Sequence, residues 1–272
     1  MPIDRWLFFV IGFACFTFAL YLGWRIRPND RRTAHIVLGV CLIPVLVRAL
    51  FVVFPGFEYQ LVAAGFISPE IYALLRPWWA TPFSIALFAV AAPHMASRSG
   101  HLALIAISLL VWGFGSDRLL ATAVVDYHEM EGVVGRDGVC RQTTDFSCGP
   151  AAAVTLLHCY DLEATEAEMA ELCWTNAAIG TDELCFVRGL RKRLVGRTLQ
   201  PKIRNANWER LIAHGEPAAV TTKQRPLLEH WVVVLHADDR RVVVGDPSGG
   251  RSVMRAEEFR RVWTGVMVTL ER

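Results

Sequence analysis

The stretch Gln142-Thr-Thr-Asp-Phe-Ser-Cys148-Gly149-Pro150 sets a side-chain amide six residues ahead of a thiol. Far downstream come His230, in Glu229-His-Trp-Val-Val-Val, and Asp246, in Gly245-Asp-Pro-Ser-Gly-Gly. A thiol, an imidazole, a carboxylate and an amide donor are the four parts that nucleophilic acyl chemistry on sulfur needs. Cysteine attacks as thiolate and is mostly protonated when free at neutral pH. His230 would take the thiol proton and return it to the leaving group. Asp246 would fix the tautomer and orientation of the ring. Gln142 would donate to the oxyanion.

These groups need elements to position them. The cysteine opens a run, Ala151 to Tyr160, that reads as a helix. A helix N-terminus carries about +0.5 charge, which favours S⁻, and its first amides are free to face an oxyanion. Pro150 suits a first-turn position and Ser147 could cap the turn. Downstream, Trp231 to His236 and Arg241 to Gly245 are β-branched runs around Ala237-Asp-Asp-Arg240, which reads as a hairpin. A strict two-residue turn at Asp238-Asp239 would set Asp246 opposite Trp231, on the wrong face. Convergence on His230 therefore requires an odd loop or a bulge. Both runs are apolar on both faces, which predicts a covered, central hairpin.

On these residues the chain resembles the bacteriocin-processing, double-glycine-leader cysteine peptidases, family thirty-nine of the usual peptidase classification, which are papain-like. The likeness covers Cys140 to about Leu270. It rests on Gln142, Cys148-Gly149 six positions later, His230 before a Val-rich strand, and Asp246-Pro247. The resemblance implies hydrolysis of peptide bonds, with Cys148 as nucleophile, His230 as base, Asp246 as orienter and Gln142 in the oxyanion hole. The chain departs from the family in having Ser147 where Asp is common. Many members are the front part of ATP-driven peptide exporters. Here there is no Gly-Lys pair, hence no P-loop and no expected ATP, and the apolar half comes first. A separate exporter as partner stays open.

The first 116 residues read as an all-α transmembrane domain of about four helices. Trp6 to Trp24 is 19 uncharged residues, about 28 Å as a helix and enough to cross a bilayer. Ile36 to Phe54, Pro77 to Ser97 and the shorter Leu102 to Gly115 follow. Arg48 can snorkel from the second run. Arg25, Arg27, Arg31 and Arg32 mark the first loop as cytoplasmic. With four spans the catalytic half lies outside a bacterial inner membrane; if the fourth run does not cross, it lies inside.

Composition agrees with this division. Mean hydropathy is +0.33, and the apolar excess lies before residue 116. Residues 1–116 hold 8 of the 28 Lys+Arg and 4 of the 26 Asp+Glu, so the net positive charge belongs to membrane orientation. No basic patch with interleaved aromatics indicates nucleic acid. His128, Glu129 and Glu131 lack the H-E-x-x-H pattern and there is no C-x-x-C, so neither metal nor other cofactor is expected.

Residues 117–139 read as a connector and 140–272 as an α+β domain of helices packed on an antiparallel sheet. Thr165-Glu-Ala-Glu168 is a capping box opening a helix to about Trp174. Further helices are expected at Asp182 to Leu194, Asn207 to His214 and about Ala256 to Trp263, and strands at Ala218 to Thr222, in the hairpin, and at Val266 to Leu270. Cys140, Cys159, Cys173 and Cys185 read as free buried thiols, with one or two disulfides open if the domain is outside. The expectation is a membrane-anchored cysteine peptidase acting on a peptide or protein substrate. An inactive peptide-binding membrane receptor, or a cysteine amidase or transpeptidase on a cell-wall peptide, are the alternatives.

Overall fold

Apolar side chains on every face make a helix that has to be enclosed. In α1 (Cys148–His158) all residues but the last are buried. The computed structural model describes residues 125–177, 180–225 and 228–272, with Tyr21, Ile43 and Leu61. Apart from those isolated positions, the four predicted spans lie outside the described residues. Among the described residues no helix is long and apolar enough to cross a membrane. Residues 125–272 fall in one compact unit.

That unit is α+β. Its strands are β1 (Gln200–Asn205), β2 (Ala218–Arg225), β3 (Leu228–Ala237), β4 (Arg241–Asp246), β5 (Gly250–Arg255) and β6 (Trp263–Glu271). They form one antiparallel sheet in the order β1-β6-β2-β3-β4-β5. The hairpin β3–β4 is internal, as the two-faced valine runs require. Trp231 and Val233 point into one core cluster, with Leu156, Phe186 and Val268. Val232, Val234, Val242 and Val244 enter a second, with Trp208 and Phe259. The first core lies against α1, α2 (Glu166–Leu172) and α3 (Glu183–Arg193). The second is closed by α4 (Trp208–His214) and α5 (Ala256–Val262).

Helix starts follow the caps. Asp182 accepts from the amides of Leu184 and Cys185, Asn207 from Arg210, and Thr165 from Glu168. Gly215, at φ 68°, ends α4 in the left-handed conformation. Three expectations are corrected. Ser147 caps α1 by position only, because its hydroxyl is committed to Thr144. The helix from Thr165 stops at Leu172 rather than Trp174, which has φ 50° and lies against Arg188. The strands β1 and β5 were not expected at all.

Candidate active site

The bulge that the sequence demands is in β3. Ala237 pairs with Val242 and His236 with Val243, but Val234 pairs with Val244, so Leu235 is the extra residue. Without it the register would carry Asp246 opposite Val233. With it, continuing from Val233–Gly245 sets Asp246 opposite Val232, on the face of His230. The His230 Nε2 and Asp246 Oδ1 are 2.8 Å apart. Asp246 Oδ1 also accepts from the Ser248 amide at 2.8 Å and from its hydroxyl at 2.7 Å. The turn after Asp246 thus fastens the carboxylate that fastens the ring.

His230 is buried, and Cys148 as well as Asp246 acts on the charge of its ring. Nε2 faces Asp246, so Nδ1 is left for the sulfur. Burial alone would depress the histidine pKa. The hydrogen bonds and charges of Asp246 and Cys148 outweigh it and raise it to about 9. Burial likewise pushes the Asp246 carboxyl up, but the bonds from His230 and Ser248 prevail and hold it at about 2. The geometry is thus one in which imidazolium and carboxylate coexist at neutral pH.

Cys148 begins α1, so the amides of Cys148 and Gly149 have no intrahelical acceptor, and Pro150 has no amide hydrogen. The following glycine is explained by close approach. A Cβ on Gly149 would lie 2.6 Å from Thr181 Cβ. Thr181 also accepts the Trp231 indole N–H on its carbonyl at 2.8 Å, and its hydroxyl bonds Thr175. Trp231 stacks on Phe186 with centroids 4.0 Å apart. Thr181 thereby touches the residue after the cysteine and the residue after the histidine, and fixes one element against the other.

Gln142 is tied to both sides of the cleft. Its amide N–H donates to the Pro247 carbonyl at 3.0 Å, in the turn after Asp246. Its Nε2 donates to the Thr144 carbonyl at 2.7 Å, and Thr144 is held by Ser147, next to the cysteine. Its Oε1 is buried without a hydrogen-bond partner.

Sequence reasoning missed Ser248, Thr181, Thr143 and Glu166. The first three are ordinary polar residues whose roles come from tertiary contacts. Glu166 lies inside the capping-box segment, where nothing in the sequence sets it apart, and it is fully buried. His128, Glu129 and Glu131 do not gather, and no cluster with metal-ligating character occurs among the described residues. Cys140, Cys148, Cys159, Cys173 and Cys185 are free, and of these Cys159 is exposed rather than buried.

A helix that opens on cysteine, packed on an antiparallel sheet that presents histidine and aspartate, describes a papain-like α+β domain. The family model of the Peptidase C39 family matches residues 136–272, half of the chain, and the chain belongs to that family. An uncharacterized protein of Methanothermobacter marburgensis is 29% identical over 150 residues, covering 54% of this chain and 98% of its own length. Another, from Methanothermobacter thermautotrophicus, is 28% identical over 141 residues, or 51% and 92% of the two chains. Among solved structures, the peptidase domain of Streptococcus ComA, a bi-functional ABC transporter, aligns at 24% identity with a TM-score of 0.43. It covers 48% of this chain and 94% of that one.

Proposed function

We propose that the domain is an active cysteine peptidase that hydrolyses peptide bonds. The observation that carries the reading is the buried His230 ring, held by Asp246 at 2.8 Å on Nε2, with Cys148 among the groups that raise its pKa. The Cys148 sulfur attacks the scissile carbonyl carbon, and the carbonyl electrons move to oxygen. That oxyanion faces the free amides at the start of α1 and the second Nε2 hydrogen of Gln142. As the tetrahedral species collapses, the C–N bond breaks and His230 delivers a proton to the amine. A thioester remains on Cys148. His230 then takes a proton from water, which attacks the thioester, and the acid leaves as the thiol is restored. Asp246 keeps the ring oriented through both steps. Membership of the Peptidase C39 family supports a peptide as substrate.

The apolar runs in residues 1–116 support anchoring of the domain to a lipid bilayer. Their basic loop supports an extracytoplasmic catalytic half. The test of the chemistry is Cys148→Ala in the full chain. It is expected to abolish peptide hydrolysis with the thermal midpoint unchanged within a few degrees. Turnover equal to that of the unsubstituted protein would refute it.

A further inference from the structure

Bonded to the residue after Gln142 is a buried carboxylate that the proposed reaction does not use. Glu166 is the first residue of α2 and has no solvent exposure. Its Oε1 accepts from the Thr143 amide at 2.9 Å. Its Oε2 accepts from the Gly132 amide at 2.8 Å and from the Thr143 hydroxyl in a short bond. Three donors offset the cost of burying the charge. The approach is close enough that a Cβ on Gly132 would lie 2.5 Å from Oε2.

Thr143 sits between the two residues that define the Gln142 side chain. The Thr144 carbonyl takes one of the two Nε2 hydrogens and so aims the other. With Oε1 unpartnered, that carbonyl is the amide's one hydrogen-bond restraint among the described residues. Ser147 holds Thr144 itself, accepting from its amide and donating to its carbonyl, so the donor's remaining freedom lies in the Gln142–Thr143 peptide. We propose that Glu166 is a positioning residue for the Gln142 side-chain amide: by gripping both the amide and the hydroxyl of Thr143, it fixes the Gln142–Thr143 peptide from which this donor extends toward the oxyanion. The inference rests on the cysteine-peptidase reading above.

Two thiol probes separate aim from general integrity. Iodoacetamide forms a carbon–sulfur bond as iodide leaves, and no oxyanion develops. The aldehyde acetyl-glycyl-glycinal adds the Cys148 sulfur to its carbonyl carbon. The displaced electron pair goes to oxygen, which takes the thiol's proton by way of His230, giving a hemithioacetal. Both would be applied to the full 272-residue chain, with labelling at Cys148 read by peptide mass. Glu166→Gln keeps the volume but turns an NH₂ toward a donor. Its dissociation constant for the aldehyde is expected to rise roughly tenfold or more, while iodoacetamide alkylates Cys148 within about twofold of the unsubstituted rate. Thr143→Val, which removes one bond of the grip, should shift the aldehyde constant in the same direction by a smaller factor, and it carries the test if Glu166→Gln does not fold. An unchanged aldehyde constant, or a parallel loss with both probes, overturns the positioning role. If the unsubstituted chain forms no adduct with the aldehyde, the peptidase reading itself falls, and the inference with it.

Discussion

Replacing Asp246 by asparagine leaves an oxygen to accept from His230 Nε2 and removes the charge. Replacing it by alanine removes both. The His230 imidazolium persists to about 9, against an ordinary 6.5. At about 1.4 kcal/mol per pH unit, that preference is worth about 3 kcal/mol. Burial opposes it, so the Asp246 and Cys148 bonds and charges supply all of it. If the two partners share the effect, losing the carboxylate charge lowers the titration by on the order of 1 pH unit. The leaving amine needs the protonated ring, so kcat/KM should hold below this value and fall as pH rises through it. The alkaline limb is then expected near 9 in the unsubstituted chain, near 8 in Asp246→Asn, and lower with a reduced plateau in Asp246→Ala. The assay is kcat/KM for one peptide from about pH 5 to 10. An alkaline limb that stays in place in Asp246→Asn would refute the reasoning. Stability follows the same signs. The His230 contribution is fully present below 6.5 and lost as pH rises through about 9. The Asp246 contribution is present above 3.8 and lost as pH falls toward about 2.

Gly149→Ala places a Cβ 2.6 Å from Thr181, a residue already held by Trp231 and Thr175, so little relaxation is open to it. A loss of about 1–3 kcal/mol is expected, read as a lower midpoint in thermal or denaturant unfolding; an unchanged midpoint would contradict the close packing. If the domain lies outside the inner membrane, a membrane-impermeant maleimide added to intact cells should label the exposed Cys159. Labelling only after lysis would put the domain on the cytoplasmic side.

The four residues to which the proposal gives roles, Cys148, His230, Asp246 and Gln142, could be picked from the sequence because each is a chemically distinctive residue beside a strong local signal, and the structure pairs His230 with Asp246. The caps at Asp182 and Asn207 and the valine runs made their elements readable for the same reason. The parity of the hairpin was legible as a requirement, and the bulge at Leu235 meets it. The edge strands were not. β1 reads Gln-Pro-Lys-Ile-Arg-Asn and β5 reads Gly-Arg-Ser-Val-Met-Arg, with the charges and proline that suit sheet edges. Their extended state comes from pairing with β6 and β4, which no local pattern announces. Glu166 was hidden because a first-turn glutamate looks the same in sequence whether it meets water or Thr143.

The most direct measurement is the rate at which iodoacetamide alkylates Cys148 at neutral pH, in the unsubstituted chain and in His230→Ala. Activation of the sulfur by the ring predicts a loss of tenfold or more in the variant, with the rate at Cys159 unchanged as an internal reference. Equal rates at Cys148 in the two proteins would mean that the imidazole does nothing for the thiol, and would contradict the account.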